Sequence, residues 1–285
     1  MNYRHAFHAG NHADVLKHVT VLALLDQMQR KDSPFFVLDT HGGAGRYLLH
    51  SEESRKTGEA TDGVLKLMDA PRLPEAVERY LKAVQADNEP GTLVTYPGSP
   101  LLASRYLRAQ DRMAVCEVQA EELETLKSLF ARDNRIQVRG GDGYAGMRAF
   151  LPPKVDGSKI GRGLVLIDPP YEDQHAEYPR IIQAVTDAVA RWPQGTIAIW
   201  YPIKQRRTLQ PFFRACLKLP VRSALIAELM VRPDDSPLRL NGSGMLLLNA
   251  PWQFDHALSP ALASLRAHLG QIGGSHRLEW LKTAV

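Results

Sequence analysis

Seven short runs of apolar residues, each nearly unbroken, constrain this chain more than any other feature. "FFVLD" (35–39), "MAVCE" (113–117), "IQVR" (136–139), "GLVLID" (163–168) and "TIAIWY" (196–201) read as strands, with "ALIAELMV" (224–231) and "GMLLLN" (244–249) as later ones. A strand that is apolar at almost every position leaves no face for water, so helices must cover it on both sides. Helical patterns lie between the runs, over 14–30, 101–108, 119–132 and 175–191. This alternation predicts an α/β fold built on a mostly parallel, doubly wound, seven-stranded sheet. Such sheets bind ligands beyond the carboxyl ends of their strands. The strand tips are therefore the places to look for chemistry.

The spacing of the runs is uneven. More than 70 residues separate Asp39 from the next strand, far beyond a normal crossover. "GVLKLMDA" and "EAVERYLKAV" within that gap look helical. Residues 50–93 are thus expected to form a small inserted helical subdomain, with 1–49 and 94–285 making the main domain. The insertion is read either as a packing appendage or as a grip on substrate. Lys and Arg number 35 against 31 Asp and Glu, a surplus of four that only mildly favours an anionic partner. The two cysteines, Cys116 and Cys216, form no metal-type cluster and fit a reducing cytoplasm. No run reaches about 18 apolar residues, so no membrane span is expected, and "MNYRHAFHAG" lacks an apolar signal core.

The first strand ends in "DTHGGAGRY" (39–47). Its glycines let the backbone turn sharply and approach a ligand closely. The dinucleotide fingerprint G-x-G-x-x-G fails, because Gly43-Ala-Gly45 runs on into Arg-Tyr-Leu48, which disfavours an oxidoreductase. The remaining Asp-x-His-x-Gly-x-Gly is close to the glycine loop of S-adenosylmethionine enzymes. The second strand ends in Glu117, placed to accept both hydroxyls of a ribose. After the third comes "GGDGY" (140–144), where Asp142 either accepts the exocyclic amine of an adenine ring or makes an Asp-Gly turn. Glycine loop, ribose acid and adenine-facing acid follow the chain order that a nucleoside cofactor needs.

The fourth tip is "LIDPPYED" (166–173). An adenine amine is a poor nucleophile because its lone pair is delocalised into the ring. Two acceptors, one for each N–H, would draw it towards tetrahedral geometry. Asp168 supplies one; the carbonyl of Pro169 supplies the other, aimed by two residues whose φ is fixed. Tyr171 is placed to stack on the base. As a methyl group arrives, positive charge grows on the amine and a fixed carboxylate stabilises it. "NAPW" (249–252) imitates this loop, but it lacks the first proline and sits on the last strand, so it reads as a strand exit.

The head, "YRHAFHAGNHADVLKH" (3–18), precedes a helix capped by Asn11 or Asp14. His8 and His12 invite a metal reading, yet no Cys or Glu completes a ligand set, and none is expected. A basic segment with an aromatic suits an RNA grip; a tail without function is the alternative. In "YPGSP" (96–100), Ser99-Pro100 opens a helix, and capping by the serine explains it.

These segments together, "YRHAFHAGNHADVLKH", "LDTHGGAGRY", "YPGSPLLA", "GDG", "LIDPPYE" and "IWYPI", resemble in order the RlmJ family of bacterial 23S ribosomal RNA adenine-N6 methyltransferases. The similarity runs almost the full length, weakest over 50–93 and after 253. It implies a Rossmann-like methyltransferase acting as a cytoplasmic monomer on one adenine of 23S rRNA. On matching positions it implies that Lys17, His18, His41, Gly43, Ser99, Glu117, Asp142, Gly143 and Asp168 contact S-adenosylmethionine, without metal. Asp168, Pro169, Tyr171 and Lys17 would serve catalysis, and Tyr3, His5, Lys17 and Tyr171 the RNA or its adenine. A DNA adenine methyltransferase shares the four strand tips, and only the head argues for rRNA. A catalytically silent RNA-binding protein is disfavoured by the intact Asp168–Tyr171 loop.

Overall fold

The computed structural model describes residues 8–49, 58–237 and 240–283. The chain opens with α1 (His12–Gln29) and β1 (Phe36–Asp39), followed by a two-stranded ribbon pairing β2 (Arg46–Leu48) with β3 (Thr95–Pro97). Between the ribbon strands lie α2 (Val64–Met68) and α3 (Glu75–Gln85). Then come α4 (Ser99–Ser104), β4 (Arg112–Glu117), α5 (Ala120–Phe130), β5 (Ile136–Gly140) and α6 (Gly143–Phe150). A hairpin of β6 (Lys154–Val155) and β7 (Ser158–Lys159) leads into β8 (Gly163–Ile167), α7 (Gln174–Arg191) and β9 (Thr196–Ile203). The chain closes with α8 (Gln210–Leu217), β10 (Ala224–Met230), β11 (Gly242–Leu248), α9 (Phe254–Leu269) and β12 (Ser275–Lys282).

Among the described residues the main sheet has eight strands, in the order β12-β10-β11-β9-β8-β1-β4-β5. The expected count was seven. The eighth, β12, is half-exposed and mixes charged with apolar residues, so no continuous apolar run announces it. It pairs antiparallel with β10 at the sheet edge, where one side stays open to water. The inner strands β4, β1, β8 and β9 pair in parallel and are almost wholly buried.

Side-chain alternation along these strands feeds two cores. Val37, Val115, Leu166 and Ala198 face α1, α4 and α9; Leu38, Cys116, Val165 and Ile199 face α6, α7 and α8. Each fully buried aliphatic side chain contributes about 1.5–3 kcal/mol. α1 is buried on nearly every side, because α3, α4, α9 and the sheet all pack around it. Asn11 caps it, accepting from the backbone N–H groups of Ala13 and Asp14. α2 and α3 occupy the gap between β1 and β4, and their Val64, Leu67, Val77, Tyr80 and Val84 join the same core as α1.

The topology locates the site. From β1 the chain moves outward to β4 and β5, then returns to place β8 on the other side of β1. Leaving from opposite sides, the connections open a crevice at the carboxyl ends of β1 and β8, where Asp39 lies beside Leu166.

Candidate active site

Asp168 follows β8 at this switch point, so the strand delivers it to the crevice floor. Lys17, in the second turn of α1, donates from Nζ to Asp168 Oδ2 at 2.5 Å and lies 2.8 Å from Asp14 Oδ1. Asp14 is held in turn, since its Oδ2 accepts from the backbone N–H of Gly10 at 2.9 Å. Burial works against the Lys17 charge, but Asp14 and Asp168 outweigh it and push its pKa well above 10.5. Lys17 is therefore a fixed cation and not a base.

The first wall is the glycine loop after β1. Gly43 takes a left-handed φ of +57° that other residues rarely adopt, and its N–H donates to Glu117 Oε2 at 2.8 Å. Glu117 Oε1 accepts from the Gln119 N–H at 2.7 Å, so this acid ties the tips of β1 and β4 together while lining the crevice. Thr40 gives its single hydroxyl proton to the Leu166 carbonyl at 2.9 Å. The 2.7 Å contact between Thr40 Oγ1 and His41 Nδ1 then requires Nδ1 to carry the proton, leaving Nε2 as an acceptor. Burial lowers the His41 pKa to about 4, so the ring is neutral at pH 7.

The second wall is α6. Asp142 caps it, accepting from the Ala145 N–H at 2.8 Å, and pairs through Oδ2 with Arg180 at 3.0 Å. Asp142 is thus a helix cap rather than an Asp-Gly turn, at a position that also lines the crevice. A Cβ on Gly143 would sit 2.1 Å from the Thr40 carbonyl oxygen, so only glycine lets α6 approach β1 so closely.

Ser99 corrects one expectation. It is the first residue of α4, Gly98 occupies the cap position, and no side chain caps the helix. The Ser99 hydroxyl donates instead to Asp39 Oδ2 at 2.7 Å, while Asp39 Oδ1 accepts from the His41 N–H at 3.2 Å. Burial raises the Asp39 pKa to about 6, with these two hydrogen bonds pulling the other way.

Lys17, His41, Gly43, Ser99, Glu117, Asp142, Gly143, Asp168 and Pro169 all line one crevice, of about 970 Å³ counted to its open mouth. Two expected residues do not. His18 is fully buried, its Nδ1 2.8 Å from the Tyr96 hydroxyl. The Tyr171 hydroxyl donates to the Trp200 carbonyl at 2.6 Å, and its ring packs against Trp200 and Tyr178. Tyr3 and His5 lie outside the described residues. His8 contacts Glu59 at 3.0 Å, and among the described residues no cluster of metal-ligating side chains forms. Asn249 leaves β11 beside the start of β9, at the sheet end opposite Asp168, so the 249–252 segment is a strand exit.

A second, smaller cavity, of about 450 Å³ counted to its open mouth, meets the first at its floor. It shares Lys17 and Asp168, and its other walls are His8, Asn11, Ala13, Asp14, Trp200 and Leu240. The crevice carries Glu117, Glu122, Asp142, Asp168 and Glu177 against Lys17 and Arg180, an acidic excess that suits a cationic ligand such as a sulfonium.

Residues 32–282 match the family model described as ribosomal RNA large subunit methyltransferase D, RlmJ. The chain belongs to this family. It is 40% identical over 283 residues to ribosomal RNA large subunit methyltransferase J of Haemophilus influenzae, covering 99% of each chain. The Escherichia coli protein of the same name is 37% identical over 282 residues, again covering 99% of each. A crystal structure of a Legionella pneumophila protein superposes with a TM-score of 0.86 at 32% identity, covering 95% of this chain and 98% of that one. A methyltransferase family implies S-adenosylmethionine, and the residues fit it: a glycine loop under a carboxylate, an acid at the next strand tip, and an acidic lining for a cation.

Sequence reasoning missed Asp14 and Trp200 as parts of the site. Asp14 had a signal, since an acid three residues before a lysine shares its helix face. Trp200 had its place near the end of a strand and in the "IWYPI" segment of the family resemblance, neither of which showed which way its side chain turns. Arg180 and Glu177, on α7, were invisible because the fold alone brings α7 to the wall of α6.

Proposed function

We propose that this protein transfers a methyl group from S-adenosylmethionine to the exocyclic N6 of one adenine in 23S rRNA. The observation that carries the reading is the Lys17–Asp168 pair standing where two cavities meet, one suited to the cofactor and one to a base. The cofactor supplies an electrophilic methyl group when bound. Glu117 and Asp142 would orient its nucleoside, and the glycine loop with Ser99 and His41 its remaining polar groups. Asp168 Oδ2 is taken by Lys17, whereas Oδ1 accepts from no described residue and is left for an adenine N–H. The Pro169 carbonyl takes the second N–H. Positive charge developing on the amine then sits beside a carboxylate already held in place, so little reorganisation is needed. Lys17 fixes that carboxylate, and its own charge offsets the neighbouring Asp14.

The target amine cannot enter from a stacked helix, so the base must be unpaired or flipped out. Tyr3 and His5 are assigned to the RNA side, and residues 50–93 to a helical insertion whose Glu59 holds the head through His8 and Asn11. Transfer of tritiated methyl to deproteinised 23S rRNA, with nucleoside analysis of the product, tests the proposal. N6-methyladenosine at one position, with duplex DNA unmodified, is the expected result. Equal incorporation into duplex DNA would favour a DNA adenine methyltransferase instead.

A further inference from the structure

We infer that the smaller cavity seats the target base and that Trp200, rather than Tyr171, is the aromatic surface on which the base packs. The inference rests on the adenine reading above. Trp200 lies on the face of β9 turned towards α1, because its neighbours Ile199 and Tyr201 belong to the opposite core. That orientation brings the indole to the cavity wall, with Leu240 and the head residues His8 and Asn11 as the other sides. Lys17 and Asp168 form the floor. One flat aromatic wall, one aliphatic wall and a carboxylate floor suit a planar base whose amine points at Asp168.

Tyr171 is occupied elsewhere. Its hydroxyl is bonded to the Trp200 carbonyl, its ring contacts Trp200 at 5.6 Å and Tyr178 at 5.6 Å, and it lines neither cavity. It is a strut that fixes the backbone and ring of Trp200, so the loop tyrosine acts on the base through its neighbour. The indole Nε1–H is buried without a hydrogen-bond partner among the described residues. A phenylalanine would avoid that cost, so packing alone does not call for tryptophan; the wider indole face matches a purine.

Kinetics of methyl transfer to 23S rRNA test the assignment, with cofactor affinity measured by calorimetry on the same proteins. Trp200→Leu should lower kcat about 10- to 100-fold, the loss expected for one base-stacking contact. Its KM for rRNA and its cofactor affinity should stay within about threefold, because phosphate contacts dominate RNA affinity. Trp200→Phe should restore most of kcat. With S-adenosylhomocysteine bound, rRNA should quench wild-type tryptophan fluorescence more than that of Trp200→Phe, a readout that stands even if the leucine variant folds poorly. A native kcat in Trp200→Leu, or equal quenching in wild type and Trp200→Phe, overturns the inference. A wild-type protein that transfers no methyl group to rRNA overturns the functional reading, a result distinct from either.

Discussion

Replacing Lys17 by methionine is the sharpest test of the charge arrangement under the active site. Lys17 Nζ stands 2.8 Å from Asp14 and 2.5 Å from Asp168, with side-chain exposures of 5% for the lysine, 3% for Asp14 and 16% for Asp168. Methionine fills nearly the same volume, so the change removes charge rather than packing. Two carboxylates then face each other at a site with little water. Breaking a buried ion pair by deleting one partner costs about 3–5 kcal/mol, against a total stability of about 5–15 kcal/mol for a typical domain. Part of the Asp14 charge stays satisfied by the Gly10 N–H, which argues for the lower end. The pH dependence carries the signature. In the wild type the Lys17 pKa is raised, so its contribution is complete below pH 10.5 and lost only as pH climbs through the folded value. Without the lysine the two buried carboxylates repel each other, and a proton taken up between them relieves that repulsion, so the deficit should shrink as pH falls from 8 to 5. Urea midpoints at those pH values measure it. The double variant Asp14→Asn/Lys17→Met should recover a large part of the loss. A deficit under about 1 kcal/mol, or one unchanged between pH 5 and 8, would refute the reasoning.

Three further outcomes are expected. Asp168→Ala should lower the single-turnover methylation rate at least about 100-fold, as expected for losing one preorganised group, with cofactor affinity little changed by calorimetry; near-native turnover would move catalysis elsewhere. Gly143→Ala forces a methyl group against the Thr40 carbonyl oxygen, so it should depress both the thermal midpoint and cofactor affinity, and a variant with native values would show that α6 yields more freely than its packing implies. The His8–Glu59 contact, at 39% and 35% side-chain exposure, should be worth at most about 1 kcal/mol after solvent screening. Its hydrogen bond with Glu59 raises the His8 pKa from 6.5, while Glu59 is lowered from 4.5 because its bonds to His8 and Asn11 outweigh burial. The contribution is therefore full between pH 4.5 and 6.5. It fades as pH rises through the His8 value or falls through that of Glu59, and a Glu59→Gln deficit that grows above pH 8 would contradict the pairing.

The seven strands, the glycine loop after the first and the acids at four tips were all legible in the sequence, although β5 lies half-exposed at the sheet edge rather than covered on both faces. The physical reason is local: a strand covered on both faces must be apolar throughout, and a loop meeting a ligand at a strand end must carry its polar groups within a few residues of that end. The same logic located Asp168 and Glu117, and capping preference narrowed the start of α1 to Asn11 or Asp14, of which the structure uses Asn11. Ser99 shows where local reasoning stops. Its position at the start of α4 permits capping, but the hydroxyl turns to Asp39, 60 residues away in the chain, because a fully buried carboxylate is costly without a donor. β12 escaped notice because an edge strand need not be apolar. Tertiary structure alone decided that Asp14 and Asp168 share one lysine, that Tyr171 turns away from the crevice to brace Trp200, and that two cavities meet at a single carboxylate. Those facts depend on how α1 crosses the ends of β8 and β9, and a one-dimensional pattern carries no record of that crossing.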